Sequence, residues 1–197
     1  MIFLTSDTHF FHKNICLGIS QWSDKKRCRP VRDVDHMNCL IIDNINSVVG
    51  ENDTLYHLGD FCFGSIDNYR AREKIKCRNI HYVCGNHSNK NGKEYDPVMS
   101  CGNRVSSLFK SYGYYAEIFY NKTRIVLFHY PIASWNEMPS GSIMLHGHTH
   151  RCPEDRYVNG GKSMDVGLDG NNLMPYNLDT IVDIMKDRPI KREGHHA

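Results

Sequence analysis

Seven side chains in this sequence stand at or just past the end of a short apolar run: Asp7, His9, Asp60, Asn86, His129, His148 and His150. Together they offer carboxylate, amide and imidazole donors but no thiolate. In Ile143-Met-Leu-His-Gly-His-Thr-His150 an apolar run breaks at Gly147, and His148 and His150 then alternate so that both imidazoles share a side. Mixed nitrogen and oxygen donors suit transition metals better than Ca²⁺ or Mg²⁺, which favour all-oxygen shells. Two cations about 4 Å apart, sharing one carboxylate, would clamp both oxygens of an in-line displacement and hold a hydroxide at neutral pH. The expected chemistry is phosphoester hydrolysis with two divalent transition metal ions. Manganese is the first expectation, with iron, zinc and nickel as alternatives.

Five strands must carry these donors. They are read at Ile2 to Thr5, Thr54 to Leu58, Ile80 to Cys84, Arg124 to Phe128 and Ile143 to Leu145. From the N-cap Asp33, the positions Val34, Met37, Ile41, Ile45 and Val48 recur at helical spacing until Gly50. A polar segment from Ser65 to about Cys77 is read as a second helix, and Val105, Leu108 and Phe109 as a helical turn. Strands separated by helices predict crossover units and a largely parallel first sheet, with ligands beyond the carboxyl ends of its strands. The second half changes character. Tyr114 to Tyr120 and Arg124 to Tyr130, joined at Asn121, Lys122 and Thr123, predict a hairpin. A last strand is expected near Ser163 to Leu168, and a closing helix through Leu178, Ile181, Val182 and Met185.

Length and composition bound the rest. A chain of 197 residues can bury a full core without staples, so residues 1–190 are expected to form a single domain with a frayed tail over 191–197. The tail's His195 and His196 are expected to be inert. Eight cysteines with no Cys-x-x-Cys pair exclude a zinc ribbon or thioredoxin motif and read as reduced, mostly small core residues. No secretory segment follows Met1, and no apolar run approaches the roughly 20 residues of a membrane span. A cytoplasmic location without a membrane partner is expected. The net charge of +2 gives little pull toward nucleic acid, which is possible as a partner but not favoured.

In their order along the chain, Asp7-x-His9, Gly59-Asp60, Gly85-Asn86-His87 and Gly147-His148-x-His150 resemble the motifs of the calcineurin-like metallophosphoesterases. The resemblance spans almost the whole chain, and the compact layout without a cap is similar to small members from bacteria and their phages. It implies an α/β (α+β) fold: a four-layer sandwich of two mixed β-sheets flanked by helices, with the ligands on loops at one edge. It implies that Asp7, His9, Asp60 and His150 hold one metal while Asp60, Asn86, His129 and His148 hold the other, Asp60 forming the bridge. His87 would act at the phosphate, protonating the leaving oxygen or stabilising developing charge. One departure stands out. The family usually has Asp or Glu after Gly-Asn-His, whereas this chain has Ser88, which puts the positioning of His87 in question.

Singly, each motif has an ordinary explanation, since Gly-Asn is a common turn pair and Asp7 with His9 could be a polar loop; the ordered set is what singles them out. His57, His81 and His146 lie in or beside apolar runs and read as core or supporting residues, and His36 as a helix surface residue. His12 is near the first motif without a firm role. Arg27 and Arg29 are candidate phosphate-binding residues. Tyr130 and Trp135 flank a ligand and could stack on a base or pack into the core. No role is carried to Asp165 or Asp169. The expected activity is a phosphodiesterase on a small phosphorylated or nucleotide-like substrate. The alternatives are a nuclease of the same fold and a non-catalytic metal-binding interaction module.

Overall fold

The computed structural model describes residues 1–88, 96–151, 155–157 and 161–192. Its layering can be read from β1 (Ile2–Thr5), where Phe3 joins the cluster containing Met37, Ile41 and Ile45 while Leu4, one residue on, joins the cluster of Ile125, Leu127 and Leu145. Successive strand side chains point to opposite faces, so one sheet faces a helix on one side and a second sheet on the other. The helix is α1 (Val34–Val48), capped by Asp33, whose side chain accepts from the His36 amide at 2.8 Å.

The first sheet has the order β4-β3-β2-β1-β9, built from β1, β2 (Thr54–His57), β3 (Asn79–Val83), β4 (Ser111–Gly113) and β9 (Tyr176–Asn177). Only β9 is antiparallel to its neighbour. β5 (Tyr115–Tyr120), β6 (Thr123–Phe128), β7 (Ile143–His146) and β8 (Ser163–Asp165) form the second sheet in sequence order, antiparallel at the hairpin and parallel beyond it. Both sheets are therefore mixed, as the resemblance implied. α2 (Leu178–Lys186) buries Leu178, Ile181, Val182 and Met185 in the inter-sheet cluster. The far face of the second sheet, where Val126 and Met144 point, is covered by Trp135, Met138 and Ile132 from a loop with one 3-10 turn.

Several elements differ from expectation. The segment after Ser65 is a 3-10 helix (Ile66–Lys74), which buries only Tyr69 and Ala71 and so has no stripe at 3.6 spacing to hold an α-helix. The helical turn expected near Val105 is present at Val105–Leu108, in 3-10 form. In the hairpin, Thr123 pairs with Tyr120, leaving Asn121 and Lys122 as a two-residue turn with φ of 48° and 63°. The last expected strand stops at Asp165 because Leu168 opens another 3-10 turn. Strands β4 and β9 were not anticipated.

Register aligns the strand ends. Thr5 pairs with His57 and His57 with Tyr82, while Leu127 pairs with Leu145 and His146 with Asp165. An isolated bridge between Ser6 and Gly167 ties the two sheets together at those ends. The loops after β1, β2, β3, β6, β7 and β8 consequently emerge along one edge. Cys16, Cys62, Cys77 and Cys84 are buried, and the seven cysteines among the described residues are all free. Cys152 and the tail residues 193–197, including His195 and His196, lie outside the described residues.

Candidate metal centre

Along that edge the structure gathers all seven candidate ligands and His87. Asp7, His9 and His150 form one group, and Asp60, His129 and His148 another, each able to offer ligand atoms within 4.8 Å of one another. In the first, His9 Nε2 lies 3.0 Å from His150 Nε2 and 3.8 Å from Asp7 Oδ1, with His150 Nε2 3.6 Å from the same oxygen. In the second, Asn86 Oδ1 is 2.8 Å from both His129 Nε2 and His148 Nδ1. Asp60 Oδ2 stands between the groups, 3.8 Å from His9 Nε2 and 3.5 Å from His129 Nε2. His87 Nε2 is 4.0 Å from that oxygen, with its side chain 40% exposed.

Proton placement decides whether these donors fit a cation. His129 Nδ1 is 2.7 Å from the Leu58 carbonyl, and His150 Nδ1 is 2.7 Å from Asp169 Oδ2. Each neutral ring must donate there, which leaves Nε2 as a bare lone pair. Those lone pairs face other acceptors, Asn86 and Asp60 for His129 and Asp7 for His150. Asp7 Oδ1 is buried without a hydrogen-bond partner. Acceptors aimed at acceptors repel unless a cation or extra protons lie between them, and contacts of about 3 to 3.5 Å match donors held near 2.1 Å from a shared ion. The donor set fits divalent transition metals.

The charges around the site follow from burial and proximity. Burial pushes Asp7 up to about 6. Asp60 is also penalised by burial, yet His129 and His9, when their rings are protonated, and the His87 amide bring it below the ordinary carboxylate range. Burial and the neighbouring His150 hold His9 far below a normal imidazole. For His150, burial works downward, but Asp169 and Asp7 outweigh it and raise the ring.

Backbone conformation makes the convergence possible. Asp7, His9, Asp60, His148 and His150, five of the seven candidates, have φ between 46° and 70°. Non-glycine residues seldom adopt this left-handed region, and such strain collects at functional sites. Side-chain anchors hold it: the Asp7 carboxylate accepts from the His148 amide at 2.9 Å, and the Asp60 carboxylate from the His87 amide at 2.8 Å. Gly85 is needed for close approach, because a Cβ there would collide with the Asp60 carboxylate and lie 2.8 Å from His129 Cε1.

Ser88 resolves the departure at the third motif. It is buried, its Oγ accepts from the Gly85 amide at 2.6 Å, and it lies 2.6 Å from the Tyr82 hydroxyl, which in turn lies 3.2 Å from that of Tyr69. The hydroxyl thus closes the turn that presents Asn86 and His87.

Arg29 is corrected by the structure. Its side chain is 1% exposed and its guanidinium is already engaged, holding Asp169 through Nε at 2.8 Å and Nη2 at 3.0 Å rather than standing free for a phosphate. It also donates to the carbonyls of Thr8 at 2.7 Å and Asp7 at 2.5 Å. Asp169, to which the sequence reading gave no role, therefore links a buried guanidinium to the His150 ring. Arg27 is exposed and lines a cavity of about 850 Å³ with Lys26, Arg151, His148 and His150. Trp135 is a core residue, its Nε1 donating to the Ser142 carbonyl at 3.3 Å, whereas Tyr130 is 38% exposed with its ring 4.7 Å from that of His148. His57 and His146 are fully buried, His81 is half-buried against Tyr56, and His36 is exposed.

A donor-rich edge on two stacked mixed sheets defines a hydrolase scaffold of the phosphoesterase type. The match to the calcineurin-like phosphoesterase superfamily domain covers residues 1–167, and the chain belongs to that superfamily. An uncharacterised protein of Methanocaldococcus jannaschii is 33% identical over 197 residues, covering 97% of this chain and 94% of that one. A protein of unknown function from Aquifex aeolicus shares the fold at 22% identity with a TM-score of 0.63, covering 93% of this chain and 98% of its own. A solved archaeal phosphodiesterase aligns at 16% identity and a TM-score of 0.44, over 84% of this chain and 82% of that one. Among the described residues no helix is long and apolar enough to cross a membrane.

Proposed function

We propose that this protein is a cytoplasmic phosphodiesterase that uses two divalent transition metal ions, manganese first among them, to hydrolyse a small phosphorylated or nucleotide-like substrate. The observation that carries this reading is the convergence of nitrogen and oxygen donors from Asp7, His9 and His150 on one side and Asp60, Asn86, His129 and His148 on the other. Asp60 Oδ2, facing an imidazole of each group, is the natural shared ligand. Bound there, two cations would supply water activation and neutralise charge on the phosphoryl oxygens. The chain's own groups do the rest. Asp169 and the Leu58 carbonyl keep the His150 and His129 protons away from the centre, and His87, exposed beside Asp60, donates a proton to the leaving oxygen. Two separate flanks favour a diester. The cavity lined by Arg27 opens beside His148 and His150, while the other flank lies beside His9 and His87.

Hydrolysis of bis(4-nitrophenyl) phosphate, assayed with Mn²⁺, Fe²⁺, Zn²⁺ and Ni²⁺, tests the proposal. Activity is expected with at least one metal and should vanish in Asp60→Ala and fall at least 100-fold in His87→Ala, both retaining the wild-type circular dichroism spectrum. Absence of bound metal together with no turnover under any of the four would refute it.

A further inference from the structure

Beside His87 the chain carries an aromatic group that the hydrolytic chemistry does not use. His12 lies flat against Phe63, with ring centroids 4.1 Å apart and planes 14° apart, and Trp22 meets His12 edge-on at 5.9 Å. Phe63 in turn meets the His87 ring edge-on at 5.3 Å, and His12 sits 5.3 Å from the ligand ring of His9. These rings are not spent on the core. Phe63 is 37% exposed and Trp22 38%. Large rings left this open, Phe63 against His87 and Trp22 one ring further out beyond His12, expose a contiguous apolar patch beside the centre. A planar π-system is the ligand such a surface fits, because stacking covers ring faces and edges without asking for a hydrogen-bond partner.

We infer that His12, Trp22 and Phe63 form a stacking subsite for the nucleobase of a nucleotide whose phosphate lies at the metal centre. The inference rests on the phosphoesterase reading for the phosphate's place, and it narrows the substrate to phosphoesters bearing a base. The spacing is suitable: from the Asp60 oxygen to His87 is 4.0 Å, and from His87 to Phe63 is one ring contact, about the reach of a ribose between phosphate and base.

Adenosine 5′-monophosphate and ribose 5-phosphate differ only in the base, so their affinities for the Mn²⁺-loaded protein, measured by calorimetry, isolate the subsite. The nucleotide should bind about tenfold more tightly. In Phe63→Leu and in Trp22→Ala that preference should shrink below threefold. Equal binding of the two ligands by wild type, or a preference that survives both substitutions, would overturn the subsite. Turnover of the generic diester is read separately. A protein that hydrolyses it without preferring the base overturns the subsite and keeps the phosphoesterase reading; one that prefers the base without hydrolysing any ester does the reverse.

Discussion

Replacing Asp169 with Asn separates two jobs that one carboxylate performs. Its Oδ2 accepts from His150 Nδ1 at 2.7 Å and from Arg29 Nη2 at 3.0 Å, while Oδ1 accepts from Arg29 Nε at 2.8 Å. Three donors thus face two oxygens. In either orientation the Asn amide turns an N–H toward one of those donors, and the negative charge is gone. Arg29 is 1% exposed, so its guanidinium is left as a buried cation held by the carbonyls of Asp7 and Thr8. Breaking a buried pair from one side costs about 3–5 kcal/mol. The remaining carbonyls place this site at the lower end, so urea unfolding in the presence of a chelator should show a loss of about 3 kcal/mol. For the metal, losing the carboxylate behind a coordinating imidazole costs 10- to 100-fold in affinity, or about 1.4–2.7 kcal/mol. Competition between the protein and a chromogenic chelator for Mn²⁺ measures that directly. The double variant Arg29→Met with Asp169→Asn should recover part of the stability, since no unpaired charge remains, but none of the affinity. An Asp169→Asn protein that binds Mn²⁺ within threefold of wild type would refute the role assigned to this residue.

Four further outcomes are expected. Gly85→Ala should cost at least 100-fold in turnover, measured on the generic diester, because a Cβ would press on Asp60 and His129 where a displacement of about 1 Å is already damaging. Ser88→Ala orphans the Gly85 amide and leaves the Tyr82 hydroxyl without its nearest partner, so urea unfolding should show a loss of about 2 kcal/mol, with kcat falling more than KM rises. Mn²⁺ at 100 times its dissociation constant should stabilise the fold by about 2.7 kcal/mol, read as a rise in Tm that a chelator reverses. Burial brings His57 down to about 3, whereas an unfolded imidazole titrates near 6.5, so between those values the unfolded chain binds a proton that the folded one refuses. Stability should therefore fall as pH drops through that window, by about 1.4 kcal/mol per unit from this residue, and chelator-treated His57→Gln should show a shallower slope than wild type.

The candidate ligands are legible because each follows an apolar strand and is of a type that binds metal; strand order then brings them together without knowledge of any contact. Asp169 obeys a similar rule, lying four residues past β8. It escaped notice because its partners, Arg29 and His150, are 140 and 19 residues away in sequence and nothing local marks a buried guanidinium. Trp135 was ambiguous between rim and core for a related reason. Its place depends on which face of β6 the following loop covers, and the structure puts it against Val126 and Met144. Strands of two or three residues, such as β9 and β4, are too short for alternation to declare itself. The 3-10 helix after Ser65 misled because capping is readable locally, whereas the helix type depends on how many residues the core will take from it.

The spacing of His148 and His150 bears on how many cations the edge can hold. Read as a continuing strand, the two residues would share a face with Cα atoms about 6.6 Å apart, near enough for both imidazoles to lean toward one ion. The chain instead leaves β7 at His146, and both residues take left-handed conformations beyond it. Their imidazoles then go to separate groups, His150 to that of Asp7 and His9, and His148 to that of Asp60 and His129. Histidine and aspartate tolerate left-handed φ better than branched or bulky residues do. The side chains able to hold a metal are thus also among those able to make the tight turns that aim them. Each such residue costs about 1–2 kcal/mol of backbone strain, and the facing lone pairs add repulsion. A chain under no demand to bind cations would relieve both with glycine in the turns and smaller polar groups at the edge.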